Sequence, residues 1–321
     1  MRGLWLEDRQ ITYRTDLPLP EPGPGEAVIR TSLAGVCSTD LEMIRGYTPF
    51  TGVIGHEFVG VVHQAPQAPE LKGQRVVGEI NIVCGECFHC RNDRPTHCLN
   101  RSALGIHDRS GVFAEYFTLP LENLHLVPDA VPDERAVFTE PLAAAFRINQ
   151  QVHVHPRDRV LVVGAGRLGQ LAAQTLKLTG CELRVVARHP SQQEILRSQG
   201  IPVLAEDEIP EGTEDLVVDA TGSPNGFKAA RRAVRSRGTL VLKSTYAGKL
   251  EWDASALVVD EITVVGSRCG PFSPAIRMME THQVAPELLL DAVYPLDEGL
   301  AALEKAGESG VLKVVLAPEG D

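Results

Sequence analysis

Aromatic residues make up only 5% of this 321-residue chain, too few to build the stacking platforms that grip single-stranded nucleic acid. Basic residues are also in deficit. The 31 Lys and Arg face 42 Asp and Glu, for a net charge of −11, and no Lys/Arg cluster offers a phosphate-tracking surface, so nucleic acid is not an expected partner. Long apolar runs are missing: 160–163 and 240–242 are of strand length, far short of the ~20 residues that span a bilayer, and no membrane association is expected. The first residues, Met1-Arg2-Gly3-Leu4-Trp5-Leu6-Glu7-Asp8, reach acid before an apolar signal region forms, which argues against secretion and for a cytoplasmic location. No low-complexity tract or internal repeat is present. The remaining composition, 43% hydrophobic and 23% charged, is that of a globular protein with length enough for two domains.

Cysteine is scarce but unevenly spread. Of the seven, Cys37, Cys181 and Cys269 stand alone, whereas Cys84, Cys87, Cys90 and Cys98 fall within one short stretch, spaced C-x2-C-x2-C-x7-C. In a reducing compartment such a cluster holds metal rather than disulfides. Four thiolates with no histidine and no open position suit a closed, structural zinc site. An iron–sulfur cluster is the competing reading; the polar surroundings (Glu86, His89, Arg91, Asn92, Asp93) favour an exposed zinc lobe.

The first ~140 residues read as mostly β, with short segments at 27–31, 58–63, 75–78 and 114–119 broken by Pro and Gly, as in a compact barrel-like domain. Beyond Pro141 the texture changes. A helix over 142–152 precedes an uninterrupted apolar strand, 159–163, of the kind buried on both faces of a parallel sheet. Apolar residues at 168, 171, 172, 175, 176 and 178 follow at helical spacing. A strand at 183–187, a helix at 191–199 and strands at 216–220, 239–243 and 263–266 complete a doubly wound α/β pattern. The last stretch carries a helix at 297–305 and a strand at 311–316.

Gly164-Ala165-Gly166-Arg167-Leu168-Gly169 fits G-x-G-x-x-G and lies where the mechanism requires it, after a buried strand and at the opening of a helix. Gly164 permits the tight turn, Gly166 lets backbone approach a pyrophosphate, Gly169 allows close helix–strand packing, and the helix N-terminus faces the phosphates. The next strand ends Val185-Val186-Ala187-Arg188-His189-Pro190. A carboxylate for the ribose 2′-hydroxyl of NAD is absent there, and Arg188 can pair with a 2′-phosphate. NADP is therefore expected over NAD, the other reading being that Arg188 is a solvated loop charge.

Two further segments carry a resemblance. Gly35-Val36-Cys37-Ser38-Thr39-Asp40 and Gly55-His56-Glu57-Phe58-Val59-Gly60, with the cysteine lobe, Glu140-Pro141-Leu142 and the glycine fingerprint, resemble the zinc-containing medium-chain dehydrogenase/reductase family, and within it the polyol and threonine dehydrogenase branch. The likeness runs through nearly the whole chain in the family's order. It implies a GroES-like β-barrel catalytic domain over residues 1–142, a Rossmann cofactor domain over 143–275, a cleft between them, and a return segment, 276–321, packing on the catalytic domain.

By that resemblance Cys37 and His56 are ligands of a catalytic zinc, with Glu57 and Glu140 competing for the next place. The second thiolate of the simple-alcohol pattern is absent, which points to polyol-type substrates. Asp40 would orient His56, or else cap a helix beginning near Leu41. Zinc lowers the pKa of the substrate hydroxyl, hydride passes to the nicotinamide, and Thr39 takes the released proton. Glu42 stands where relatives often carry the histidine that continues this relay. Val218-Asp219-Ala220-Thr221-Gly222 and Val265-Gly266-Ser267-Arg268 resemble loops near the nicotinamide, or are ordinary strand ends; Arg167, Leu168, His189, Thr221 and Gly222 join the expected cofactor site. The connection between Gly200 and Asp215 is short, which implies a trimmed helix. Tyr47, Phe50 and His107 are candidate pocket residues. Relatives are usually dimers or tetramers, so a homo-oligomer acting on a small alcohol or polyol is expected. The alternatives are a zinc-free quinone or enone reductase of the same superfamily, against which Cys37, His56 and Glu57 count, and a non-catalytic zinc protein of this fold.

Overall fold

The computed structural model describes residues 1–245 and 250–318. Its contacts divide the chain into two compact units. One comprises Met1–Glu140, Phe272–His282 and Leu290–Asp321; the other comprises Pro141–Pro271 and Gln283–Leu289.

The first unit is built on the strand Glu26–Gly35, whose ten residues mix buried and half-buried positions. Along its length it pairs antiparallel with Glu57–Gln64. Its other edge is shared: Tyr116–Pro120 takes the first half, and Lys313–Ala317 takes Ala34 and Gly35. Register shifts between Thr31 and Leu33 let one strand bend enough to serve two partners, as closed or barrel-like sheets require. The full sheet has seven strands, with Arg75–Gly78 and Leu124–Leu126 beyond Glu57–Gln64 and Leu290–Pro295 beyond Lys313–Ala317. Leu4, Leu6, Ile29, Phe58, Phe113, Leu119, Val314 and Leu316 fill the interior, where Phe58 and Phe117 meet edge to face at 4.7 Å.

The second unit is a six-stranded sheet, all of whose pairings are parallel. Its order is Val203–Leu204, Glu182–Val186, Arg159–Val163, Glu214–Asp219, Val234–Leu242, Thr263–Gly266. In order of sequence that is third, second, first, fourth, fifth, sixth: the doubly wound dinucleotide-binding topology. The α/β fold expected from the sequence is present.

Differences lie at the joins. The helix expected at 142–152 is Thr139–Gln151 and takes Pro141 into its first turn, where a missing N–H costs nothing. Expected 297–305 is a 3-10 turn, Leu296–Glu298, followed by the helix Gly299–Ala306. Between Gly200 and Asp215 the chain forms only the strand Val203–Leu204 and the 3-10 turn Glu206–Glu208. The helix Phe272–Glu280 groups with the first unit. There Arg135 Nη1 donates to Met279 O at 3.2 Å, and Phe272 stacks on His125 at 5.4 Å. Gln283–Leu289 groups with the second, because the Gln174 amide clamps Ala285: its Oε1 accepts from Ala285 N at 2.8 Å and its Nε2 donates to Ala285 O at 3.4 Å. Among the described residues no helix is long and apolar enough to cross a membrane.

Candidate metal centres and cofactor site

Cys84, Cys87, Cys90 and Cys98 bring their sulfurs within 4.8 Å of one another. Cys87 and Cys90 stand 3.5 Å apart, as do Cys98 and Cys84. A disulfide needs about 2.05 Å; a tetrahedron of sulfurs at ~2.3 Å from a zinc ion has edges of about 3.8 Å. The short helix Phe88–Arg91, with Cys87 at its N-terminal boundary, sets two of the sulfurs one turn apart. Backbone N–H groups of Cys84 and Asn100 donate to Cys98 Sγ at 3.4 and 3.3 Å. Backbone N–H groups of Cys90 and Leu99 lower the Cys87 thiol to about 6, whereas burial and the neighbouring Cys87 raise Cys90 to about 12. Four sulfurs at this spacing, with no other donor among them, fit a closed four-sulfur metal site.

The second cluster is mixed. Cys37 precedes the helix Ser38–Ile44, which starts three residues before the expected position. Asp40 reaches two partners, one through each carboxylate oxygen. Its Oδ2 accepts from Cys37 N at 2.8 Å, capping the helix, and its Oδ1 faces His56 Nδ1 at 3.1 Å with both side chains buried. Neither of these two facing atoms has another hydrogen-bond partner. Burial disfavours the imidazolium, but the Asp40 carboxylate and the Cys37 sulfur outweigh it and raise the His56 pKa well above the usual value. His56 and Glu57 enter at the start of the strand Glu57–Gln64. There one donor atom each from Cys37, His56 and Glu57 lies within 4.8 Å of the others. Sulfur, nitrogen and oxygen donors with a fourth place left over fit a catalytic zinc rather than a structural one.

Glu140, in the first turn of Thr139–Gln151, is not one of that group. Thr39 Oγ1 lies 3.7 Å from Cys37 Sγ. Glu42 pairs instead with Arg45 at 2.6 Å on the exposed side of the helix, so its carboxylate is engaged away from the Thr39 hydroxyl. Phe50 lines a polar hollow of about 450 Å³ with Pro49, Thr51, Asp108, Arg109 and Ser110. Tyr47 is exposed, and His107 pairs with Asp108 at 3.3 Å at the surface.

One residue at the mixed cluster escaped the sequence reading. Lys313 opens the strand Lys313–Ala317, is 1% exposed, and donates from Nζ to Glu57 Oε2 and, at 3.2 Å, to Val36 O. Its signal in the sequence is a single charge inside Val311-Leu312-Lys313-Val314-Val315-Leu316: a buried strand tolerates a cation only with a partner.

In the second unit, Gly164 turns at φ +98° between Val163 and the helix Arg167–Lys177, with Gly166 as its N-cap. A Cβ at Gly169 would lie 1.9 Å from Gly164 O, whereas one at Gly166 would meet nothing within 4 Å. Close packing at the third glycine and open space at the second are what a pyrophosphate-binding turn needs. Arg167 and Leu168 lie in the first turn of that helix, and His189 stands at the N-terminal boundary of the helix Pro190–Ser198. Thr221, beside Gly222, donates from N and Oγ1 to the buried Asp219 Oδ1 at 3.0 and 2.8 Å. Arg188, two-thirds exposed, pairs with Glu206 of the 3-10 turn.

The alcohol dehydrogenase GroES-like domain family matches residues 23–129, and the zinc-binding dehydrogenase family matches residues 168–283. L-galactonate-5-dehydrogenase of Escherichia coli (strain K12) is 29% identical over 86% of this chain and 86% of its own. A cobalt- and zinc-bound thermostable alcohol dehydrogenase from Pyrobaculum aerophilum superposes with a TM-score of 0.90 at 29% identity, covering 99% of both chains. A protein from Sinorhizobium meliloti 1021, assigned as a zinc-binding dehydrogenase and bound to NADP, does so with a TM-score of 0.91 at 26% identity over 99% of both chains. Together with the two units, these matches place the chain: it belongs to the zinc-containing medium-chain dehydrogenase/reductase family. Within that class it is an oxidoreductase, moving hydride between a nicotinamide cofactor and an alcohol or polyol hydroxyl.

Proposed function

We propose that this chain is an NADP-preferring dehydrogenase of polyol or sugar-like hydroxyls that works on a zinc ion held by Cys37, His56 and Glu57. The observation that carries this reading is the convergence of those three donor atoms within 4.8 Å. Zinc there supplies Lewis acidity toward the substrate oxygen. Asp40, holding the ring at Nδ1, leaves Nε2 as the nitrogen free to donate. Glu57 rather than Glu140 is the third ligand, since its carboxylate is the one in the group. Thr39 receives the substrate proton and hands it to water; Glu42, held by Arg45, stands outside that route. Thr39→Val is expected to lower kcat about 10²-fold with metal content unchanged. Full activity in that variant would remove Thr39 from the mechanism.

The four-cysteine lobe binds a second, structural zinc, so a filled chain holds two. Four cysteines gathered at such close quarters are kept for metal rather than disulfides in a reducing compartment, and we place the protein in the cytoplasm.

Cofactor preference follows from Arg188. Its pair with Glu206 is exposed on both sides, the kind of contact worth least, and readily exchanged for a 2′-phosphate. Arg188→Ala is expected to weaken NADP binding about tenfold, the loss of one charge-assisted hydrogen bond, and to leave NAD binding unchanged. Equal effects on both cofactors, read by fluorescence titration, would assign Arg188 to the surface instead.

A homo-oligomer, dimer or tetramer, fits the second unit. Thr263–Gly266 is an edge strand of half-buried and exposed residues with no partner on its outer side among the described residues. The nearby helix Ala254–Val259 leaves Val258 and Val259 about four-fifths exposed. Open edges and apolar patches of this kind are normally covered. Light scattering is expected to give a mass of two or four chains; a monomer at working concentration contradicts the reading.

A further inference from the structure

Lys313 is held through both its backbone and its ammonium. Its backbone N–H, with that of Leu312, donates to Asp291 Oδ2 at 3.0 and 2.5 Å, which fixes the start of its strand. The strand is tied to the chain just before Cys37 through Val36 N to Val314 O at 2.9 Å. The ammonium then reaches Val36 O and Glu57 Oε2 and sits 5.7 Å from the Phe138 ring centroid. Both members of the Lys313–Glu57 pair are 2% exposed. The Glu57 carboxylate packs against Gly35, where a Cβ would come within 2.5 Å of Oε2.

A buried ion pair far from any ligand is weak evidence of anything but fold. This one shares a carboxylate with the donor group Cys37, His56 and Glu57. We propose that Lys313 is a positioning residue for the catalytic metal: by occupying one Glu57 oxygen it leaves a single unshared oxygen to donate, and its charge offsets one of the negative charges the site presents to the metal. The inference rests on the reading of Cys37, His56 and Glu57 as a metal centre. It goes beyond that reading by assigning the state of the third ligand to a residue more than 250 positions away in the chain.

Two consequences follow, both readable without turnover. Removing the ammonium removes a nearby positive charge, so the site binds divalent metal more tightly, by about tenfold. It also frees both Glu57 oxygens, so the coordination sphere changes. The coordination change runs through the Glu57 oxygens and disappears when Glu57→Gln removes the carboxylate, whereas the direct effect of the ammonium on affinity remains.

The test is a double-mutant cycle on the full chain: the unsubstituted protein, Lys313→Met, Glu57→Gln and the pair together. In each, the cysteine lobe is first filled with zinc and cobalt(II) is then titrated into the remaining site, followed by its visible absorption. Lys313→Met is expected to tighten cobalt binding about tenfold and to shift the absorption bands, while the same change in the Glu57→Gln background leaves the absorption bands where they were. An unchanged affinity and spectrum in Lys313→Met overturns the proposal and leaves Lys313 a structural residue. Should that variant not fold with an unpaired buried carboxylate, the comparison within the Glu57→Gln background still decides, since the carboxylate through which Lys313 acts is absent from both proteins; cobalt bands that shift there on adding Lys313→Met overturn the proposal. If the unsubstituted protein takes up no cobalt beyond the filled lobe, the metal centre itself fails, which is a distinguishable result.

Discussion

Cys37→Ser is expected to lower kcat/KM by about 10³-fold or more, because a metal centre supplies several kcal/mol of transition-state stabilisation and each ~1.4 kcal/mol is a factor of ten. The argument is local. Serine preserves the size of the side chain and the backbone N–H that Asp40 caps, so the helix Ser38–Ile44 should form as before. What is lost is the one thiolate in a group whose other donors are a buried imidazole and a carboxylate already shared with Lys313. The nicotinamide cofactor should bind normally, since Gly164, Gly166 and Gly169 belong to the other unit. Steady-state kinetics with a polyol panel, beside cofactor fluorescence titration and metal analysis, separates the outcomes. Lost activity with intact cofactor binding and one zinc fewer per chain is the expected pattern; activity near that of the unsubstituted enzyme contradicts it.

Cys90→Ser is expected to cost stability instead. A lobe metal present at about a thousand times its dissociation constant contributes ~4 kcal/mol. At about 2–4 °C per kcal/mol for a domain of this size, Tm should fall by roughly 8–16 °C. A chelator that empties the lobe should reproduce the fall in the unsubstituted protein and have no further effect on the variant. The four sulfurs sit on a short helix and turns, Phe88–Arg91 and Pro95–His97, with little apolar burial to hold them when the ion is gone. An unchanged Tm with unchanged zinc content would show that the lobe is organised by its chain alone. A brown, visibly absorbing protein would favour the iron–sulfur alternative.

Features written in local pattern were legible in the sequence, and features made by distant pairing were not. The strand Arg159–Val163 and the glycine turn after it could be read because burial on both faces leaves an unbroken apolar run and because Gly164 and Gly169 answer backbone needs within six residues. The cysteine lobe was legible for the same reason: its four sulfurs come from positions close in sequence. Asp40 was read as either a cap or a partner of His56. It is both, since the first-turn carboxylate has two oxygens and the strand Glu57–Gln64 brings His56 to the second. Glu42 was drawn toward Thr39 by its place in the family pattern, but Arg45 lies one helical turn away and takes it. Arg188 met Glu206 across the shortened connection, a pairing that no periodicity announces. Lys313 was missed altogether. Its role depends on the last strand returning to the edge of Glu26–Gly35, and nothing near residue 313 says that it will face Glu57.

The central claim is that hydride transfer in this chain requires the metal at Cys37, His56 and Glu57, separately from the one in the lobe. Stepwise removal and return of zinc tests it most directly, with zinc per chain and polyol oxidation by NADP measured at each step. The account predicts two zinc ions in the active protein, activity that disappears as the first is withdrawn from the mixed site while the fold persists, and recovery when zinc is restored. Full activity in protein stripped of both ions would contradict it.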